Sequence, residues 1–330
     1  MNSVTRRAGF ALAAVAAFPM LPLAGHCATV EQYPARPVRL IVPFAPGGTV
    51  DVIARLIGAG FTGITRQQVV VDNRGGAGGV VGTELVVRAP ADGYTLLLHS
   101  ATIAYEPALR AKLPYVALQD LAPVGPVGAT PNLLVVHPAF AARSARELVA
   151  LAKQKPGAVT FGTGGIGSSS HLAVELFRNL AGVTFNHVPY KGAGPALIDV
   201  IAGQIDFMIA TMPGAAPHVR GGRLRAIGIS TLKRSPGLPD VATIAESGVP
   251  GYEYVAWFGL FAPAATPRAL VGEINNLIRQ AAGSPDTRAK LELEGIEPQA
   301  ATPAQFRANV AAETARWKKI IEAAGIKAAL

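Results

Sequence analysis

The chain is almost without cysteine: Cys27 is its only one and lies near the start. An internal disulfide is excluded, so stability has to come from packing. Aromatic residues are few, at 6%, and the lysines and arginines are scattered rather than clustered. Nucleic-acid recognition, which needs basic patches interleaved with stacking side chains, finds little support. Acids are outnumbered, 21 against 30 basic residues, giving a formal charge of +9 that falls to +7 without Arg6 and Arg7. Such a surface attracts anions mildly. Beyond residue 28 no run is apolar enough to span a bilayer, and there is neither a short-period repeat nor a low-complexity tract.

Half of the residues are apolar, in runs that recur along the chain, so the 36 glycines and 26 prolines do not signal disorder. The length fits one large or two medium domains. Residues 1–28 carry the three parts of a signal peptide: Arg6-Arg7, an apolar run over 8–23, and small residues at Ala24-Gly25-His26-Cys27-Ala28. The expectation is an exported, periplasmic protein that loses this leader; an uncleaved anchor is the other reading. Thr5-Arg6-Arg7 matches a twin-arginine signal poorly, and His26 before Cys27 fits lipidation poorly.

The most informative stretch is Phe161-Gly162-Thr163-Gly164-Gly165-Ile166-Gly167-Ser168-Ser169-Ser170-His171-Leu172. A strand is predicted before it, over 158–161. A helix follows over 172–180, with apolar residues at Leu172, Leu176, Phe177 and Leu180. Glycines let a ligand approach the backbone, and serines cap helix N-termini. The first amides of a helix lack intrahelical partners, and the dipole there favours negative charge. Strand, Gly/Ser loop and helix therefore make either an anion site or a plain βα turn. Gly162, Gly164 and Gly167 also satisfy G-x-G-x-x-G. A dinucleotide site, however, wants an acid about 20 positions on, and the next strand, over 183–188, has none. The loop has no G-x-S-x-G, so it is not a nucleophile elbow.

The same pattern occurs earlier. A strand over 38–44 ends in Phe44, and Ala45-Pro46-Gly47-Gly48-Thr49 turns into a helix that begins near Asp51. Thr49 is expected to cap that helix, leaving the Gly47 and Gly48 amides facing a ligand, while Asp51 suits the dipole. A second strand over 69–72, the loop Asn73-Arg74-Gly75-Gly76-Ala77-Gly78-Gly79, a helix over 80–88 and a third strand over 95–99 follow. This β-α-β-α-β order implies a parallel sheet with ligands beyond the carboxyl ends of its strands, where Ser100-Ala101-Thr102 also falls.

A second α/β unit runs through the helix over 144–153, the central loop, the 183–188 strand, a helix over 195–202, strands over 205–209 and 224–229, and a helix between them. Extended segments over 121–127 and 132–136, punctuated by Pro126 and Pro131, precede it, and one over 254–263 follows it. These read as two connections between lobes. Helices over 270–281, 285–293 and 303–323 complete the chain.

The chain resembles the tripartite tricarboxylate transporter receptor family, the Bug family of periplasmic solute-binding proteins. The resemblance rests on Tyr33-Pro34, on Pro37-Val38-Arg39-Leu40-Ile41-Val42-Pro43-Phe44-Ala45-Pro46-Gly47-Gly48 and on Asn73-Arg74 with Gly76-Ala77-Gly78-Gly79. It continues through Pro90-Ala91-Asp92-Gly93-Tyr94-Thr95-Leu96, Gly167-Ser168-Ser169 with His171-Leu172, His187-Val188-Pro189-Tyr190-Lys191-Gly192 and Trp257-Phe258-Gly259-Leu260-Phe261-Ala262-Pro263. It implies a type II periplasmic-binding-protein fold: lobe 1 from 29–130 and 252–330, lobe 2 from 131–251, closing over a ligand cleft. It further implies a monomeric receptor, without metal or cofactor, that delivers a small carboxylate to membrane transporter subunits or a sensor. Carried onto this chain, the binding loops are Pro46-Gly47-Gly48-Thr49 and residues 163–169. Three departures leave the distal half of the ligand open. Thr49-Val50-Asp51 shifts the polar group of the first turn, Glu106 stands where asparagine is frequent, and Ala210-Thr211 stands where some members have an acid.

The expected ligand contacts are Phe44, Pro46, Gly47, Gly48, Thr49, Ser100, Thr102, Thr163, Gly165, Gly167, Ser168, Ser169, His171, Tyr190, Lys191, Thr211 and Trp257. Several have a plainer reading: Lys191 as a solvated lysine, His171 as a structurally bonded histidine, Trp257 as core or hinge packing. Two dipole ends and several amides can hold a carboxylate without an arginine. The enzyme alternative is a hydrolase using Ser168 or Ser169 with His171; its acidic partner would have to come from afar, as Asp51 or Glu106.

Overall fold

The computed structural model describes residues 33–323 apart from 111, 191 and 236, so the leader and Lys191 lie outside the described residues. The first half alternates strands and helices: β1 (Val38–Val42), α1 (Thr49–Thr65), β2 (Val69–Asn73), α2 (Val80–Val87), β3 (Thr95–Ser100), α3 (Thr102–Leu109) and α4 (Ala117–Asp120). A long strand, β4 (Leu121–Val136), leads to α5 (Ala145–Gln154), β5 (Thr160–Thr163), α6 (Ser169–Ala181), β6 (Asn186–Pro189) and α7 (Ala193–Ile201). Then come β7 (Phe207–Thr211), α8 (Met212–Arg220), β8 (Arg225–Ile229), β9 (Val255–Pro263), α9 (Arg268–Gly283), α10 (Pro285–Leu293), β10 (Glu297–Pro298) and α11 (Pro303–Ala323).

The strands join in the order β2-β1-β3-β9-β4-β7-β5-β6, with β8 and β10 also on β4. The predicted β-α-β-α-β unit is parallel through β2, β1 and β3, and a second parallel set joins β7, β5 and β6. The two extended segments expected over 121–127 and 132–136 are one strand of 16 residues. Its prolines are accommodated by irregularity: the β4–β9 register slips between Pro123 and Gly125 and again between Pro126 and Gly128. A proline has no N–H for the ladder, and a bulge removes the demand for one.

β4 changes partners at one point. Pro131 still pairs with Val255 of β9, while Asn132 pairs with Thr211 of β7. Ser230 stitches this point to the start of β9. Its Oγ accepts from the Asn132 N–H at 2.7 Å, its N–H donates to the Asn132 carbonyl at 2.9 Å, and its carbonyl accepts from the Tyr254 N–H at 2.9 Å. The main core runs from Ile41, Leu97 and Phe261 through Leu134 to Phe161, Phe177 and Phe207; a smaller core lies between β7, α7 and α8 around Met208, Leu197 and Ala215. α11 sits hard on β9, because a Cβ at Gly259 would lie 2.1 Å from the Phe306 ring. Among the described residues no helix is long and apolar enough to cross a membrane.

Candidate functional site

The turn from β1 into α1 is built around Asp51. Gly47, at φ +80°, lets the chain reverse, and its N–H donates to Asp51 Oδ2 at 2.9 Å. Asn73 Nδ2 donates to Asp51 Oδ1 at 3.1 Å and to the Phe44 carbonyl at 3.1 Å, and Arg55 pairs with the same carboxylate. Burial pushes the Asp51 carboxyl up, but bonds from Arg55, Gly47 and Asn73 outweigh it and hold the group below the usual carboxylate range. Two expectations change here. The Gly47 amide is occupied, and the helix is capped by Gly48 rather than Thr49, which is its first helical residue. The Gly48, Thr49 and Val50 amides have no acceptor among the described residues.

In residues 163–169 much of the hydrogen bonding is internal. Thr163 is fully buried; its Oγ1 meets His187 Nε2 at 2.7 Å and accepts from the Gly165 N–H at 3.2 Å. The Gly164 N–H donates to Ser170 Oγ, the Gly167 N–H to His171 Nδ1 at 3.1 Å, and the Ser168 N–H to the Gly165 carbonyl. Ser168 caps α6 as expected, accepting from the His171 N–H at 3.3 Å. That leaves the Ile166, Ser169 and Ser170 amides without an acceptor among the described residues. Gly165 and Gly167 have φ of +116° and +80°, conformations that need glycine.

His171 is a scaffold group. Its Nδ1 accepts from Gly167, its ring stacks on His187 at 4.4 Å between centroids, and His187 stacks on Phe161 at 4.7 Å. Burial first, then His187 and Arg178, lower the His171 pKa to about 3, so the ring is neutral at physiological pH. The hydroxyl bonds of Ser168 and Ser169 go to Ser170, the His171 amide and Tyr254, not to the imidazole. The serine–histidine pair of the enzyme alternative is not assembled.

The first turn meets the carboxyl end of β7, the strand beside β5. β5 and β7 are parallel with Phe161 beside Phe207, which sets Thr163 level with Ile209 and residues 164–165 level with 210–211. Thr211, at the end of β7, meets Thr49 across the gap with Oγ1 atoms 3.1 Å apart. A Cβ on Gly167 would stand 3.1 Å from Leu109 Cδ1 of α3. Phe44 and the exposed residues Pro46, Gly47 and Gly48 edge one side. Ser100 and Thr102 are buried and bond each other at 2.8 Å. The Tyr190 hydroxyl donates to Asp199.

Trp257, on β9, has ring contacts on α11. Its ring packs edge-on against Phe306, 5.6 Å between centroids, and lines a cavity of about 420 Å³ with Tyr105, Tyr254, Phe306, Arg316 and Trp317. No residue of either turn lines that cavity. These contacts with α11 fit packing, the plainer of its two readings. Tyr254 and Leu109 were missed. Tyr254 joins the site through its hydroxyl, 2.9 Å from Ser169 Oγ. Nothing local in the sequence marks either one, because both reach the turns from distant elements.

Residues 53–326 match the model of the tripartite tricarboxylate transporter family receptor. Protein BugT of Bordetella pertussis is 40% identical over 301 residues, covering 91% of this chain and 92% of that protein. Among solved structures, R. palustris Rpa4515 with adipate is 37% identical with a TM-score of 0.85, covering 90% of this chain and all of that one. The periplasmic binding protein BugD is 32% identical with a TM-score of 0.83, again covering 90% and 100%.

Proposed function

This chain belongs to the tripartite tricarboxylate transporter receptor family, and from that premise we propose that it captures one small carboxylate between residues 46–49 and 163–169. It is a solute-binding receptor with the two-lobe periplasmic fold of its relatives. In our reading the lobes are 29–130 with 252–330, and 131–251, and they hinge where β4 exchanges partners between Pro131 and Asn132. Residues 1–28 direct export, and the loaded monomer hands its ligand to the membrane subunits of a tripartite transporter.

The observation that carries this reading is the contact of Thr49, at the α1 N-terminus with its unused amides, with Thr211 at the end of β7, the strand beside the β5 that leads into the unused amides of α6. A carboxylate has four lone-pair directions, and Gly48, Thr49 and Val50 on one side with Ile166, Ser169 and Ser170 on the other can satisfy them. Each of the two helix ends adds about half a positive charge to a site built of amides and hydroxyls. Closure is then driven by the ligand, whose charge is shared between the two halves.

Calorimetry against linear dicarboxylates, hydroxy acids, amino acids and aromatic acids tests this, with mass spectrometry of whatever the purified protein releases on denaturation. We expect one-to-one binding of a small carboxylate. A released ligand without a carboxyl group, or silence across the panel from folded, ligand-free protein, refutes it.

A further inference from the structure

Asn132 is completely buried, and both atoms of its side-chain amide lack a partner among the described residues. Its main chain is used up by Ser230, so neither atom is held in reserve for the strand. A buried asparagine with an unpaired donor and an unpaired acceptor is costly to keep unless something else fills both.

Its position says what that is. Asn132 pairs with Thr211 in the antiparallel β4–β7 ladder, and partners in such a ladder project to the same face. Leu134 and Val136, two and four residues on, enter the main core with Ile209 and Phe207. Asn132 and Thr211 therefore continue that face beyond the apolar pairs, level with residues 164–165 at the carboxyl end of β5. Thr211 in turn touches Thr49 from the other side. Asn132 thus lies buried on the strand face that Thr211 continues toward Thr49 and the first turn.

We infer that Asn132 forms a second ligand subsite, one for an uncharged group that both donates and accepts a hydrogen bond, a hydroxyl or a carboxamide. This rests on the carboxylate reading above. The free amides of α1 and α6 take the charged end, and Asn132 reads the rest of the molecule. A second carboxylate would satisfy only Nδ2–H and would set its oxygens against Oδ1. A hydroxyl or carboxamide satisfies both atoms, and a site built for such a group rejects analogues that lack it.

The test uses the whole protein and matched sets of four to six carbons: plain dicarboxylates, their monoamides and their 2-hydroxy derivatives. At the chain length that binds, we expect the amide or the hydroxy member to bind at least about 10-fold tighter than the plain diacid. In Asn132→Leu that preference falls below about 3-fold, and the ligand-free melting temperature rises by about 2 °C or more as two orphaned atoms are removed. Binding of diacids without any preference overturns the inference and leaves the carboxylate reading standing. So does an Asn132→Leu variant that melts lower but keeps the wild-type ranking, the behaviour of an asparagine that only holds buried water. Failure of every carboxylate to bind removes both.

Discussion

Proline in place of Thr49 deletes one candidate amide while sparing the helix. Thr49 opens α1, where its N–H has no intrahelical acceptor, and proline is favoured at that position. The preceding Gly48 is extended, at φ −80° and ψ 167°, which is what a proline requires of its neighbour. Ser169 opens α6 in the same way, behind Ser168 at φ −68° and ψ 161°. Each proline also removes a hydroxyl: Thr49 loses its contact with Thr211, and Ser169 its contact with Tyr254. Thr49→Val and Ser169→Ala remove the hydroxyls alone and serve as controls. A hydrogen bond from an amide to a carboxylate contributes about 1.5–3 kcal/mol, so each proline should weaken binding about 10- to 150-fold beyond its control. Ligand-free melting temperatures within a pair should agree to about 2 °C. Calorimetry with the ligand found by screening reads the first quantity and thermal unfolding the second. Proline variants that bind as tightly as their controls would mean that the helix ends do not hold the carboxylate.

Three other outcomes are expected. Gly167→Ala puts a Cβ 3.1 Å from Leu109 Cδ1 at a φ of +80°, so it should lower both stability and affinity; in a Leu109→Ala background the loss of affinity, but not the conformational cost of about 1 kcal/mol, should disappear. Gly259→Ala drives a methyl into the Phe306 ring, which is flanked by Trp257 and Phe261, and should destabilise by about 2–3 kcal/mol or more in urea unfolding. Acid should weaken the fold through His171 and His187, whose pKa values in the folded protein are about 3 and 4, mainly through burial. Because the unfolded value is about 6.5, this contribution is whole above that pH and is lost as pH falls towards 4, about 3 kcal/mol from His171 alone; His171→Gln should flatten unfolding free energy against pH over that window.

How far the sequence can be read follows from how local each signal is. The turns at 46–49 and 163–169 are visible because strand, glycines and capping residues are neighbours in the chain, and the resemblance falls on the same residues. The capping assignment at Thr49 fails for a local reason too: Gly47 can donate back to Asp51, four residues on, and that bond shifts the helix start. Trp257 is hard to read for a different reason. On a strand, the side that faces a ligand and the side that faces packing differ by one residue, and which is which depends on where α11, with Phe306 49 residues later, comes to rest. Asn132 is the extreme case. In sequence it is a polar residue between Pro131 and Leu133 in an apolar strand, indistinguishable from a turn residue. Only the pairing with Thr211, 79 residues away, and the contact of Thr211 with Thr49 give it a meaning. Ligand-binding loops announce themselves through chain-local chemistry; the residue that discriminates between ligands is set by register between distant strands, so identity of family can be legible while identity of ligand is not.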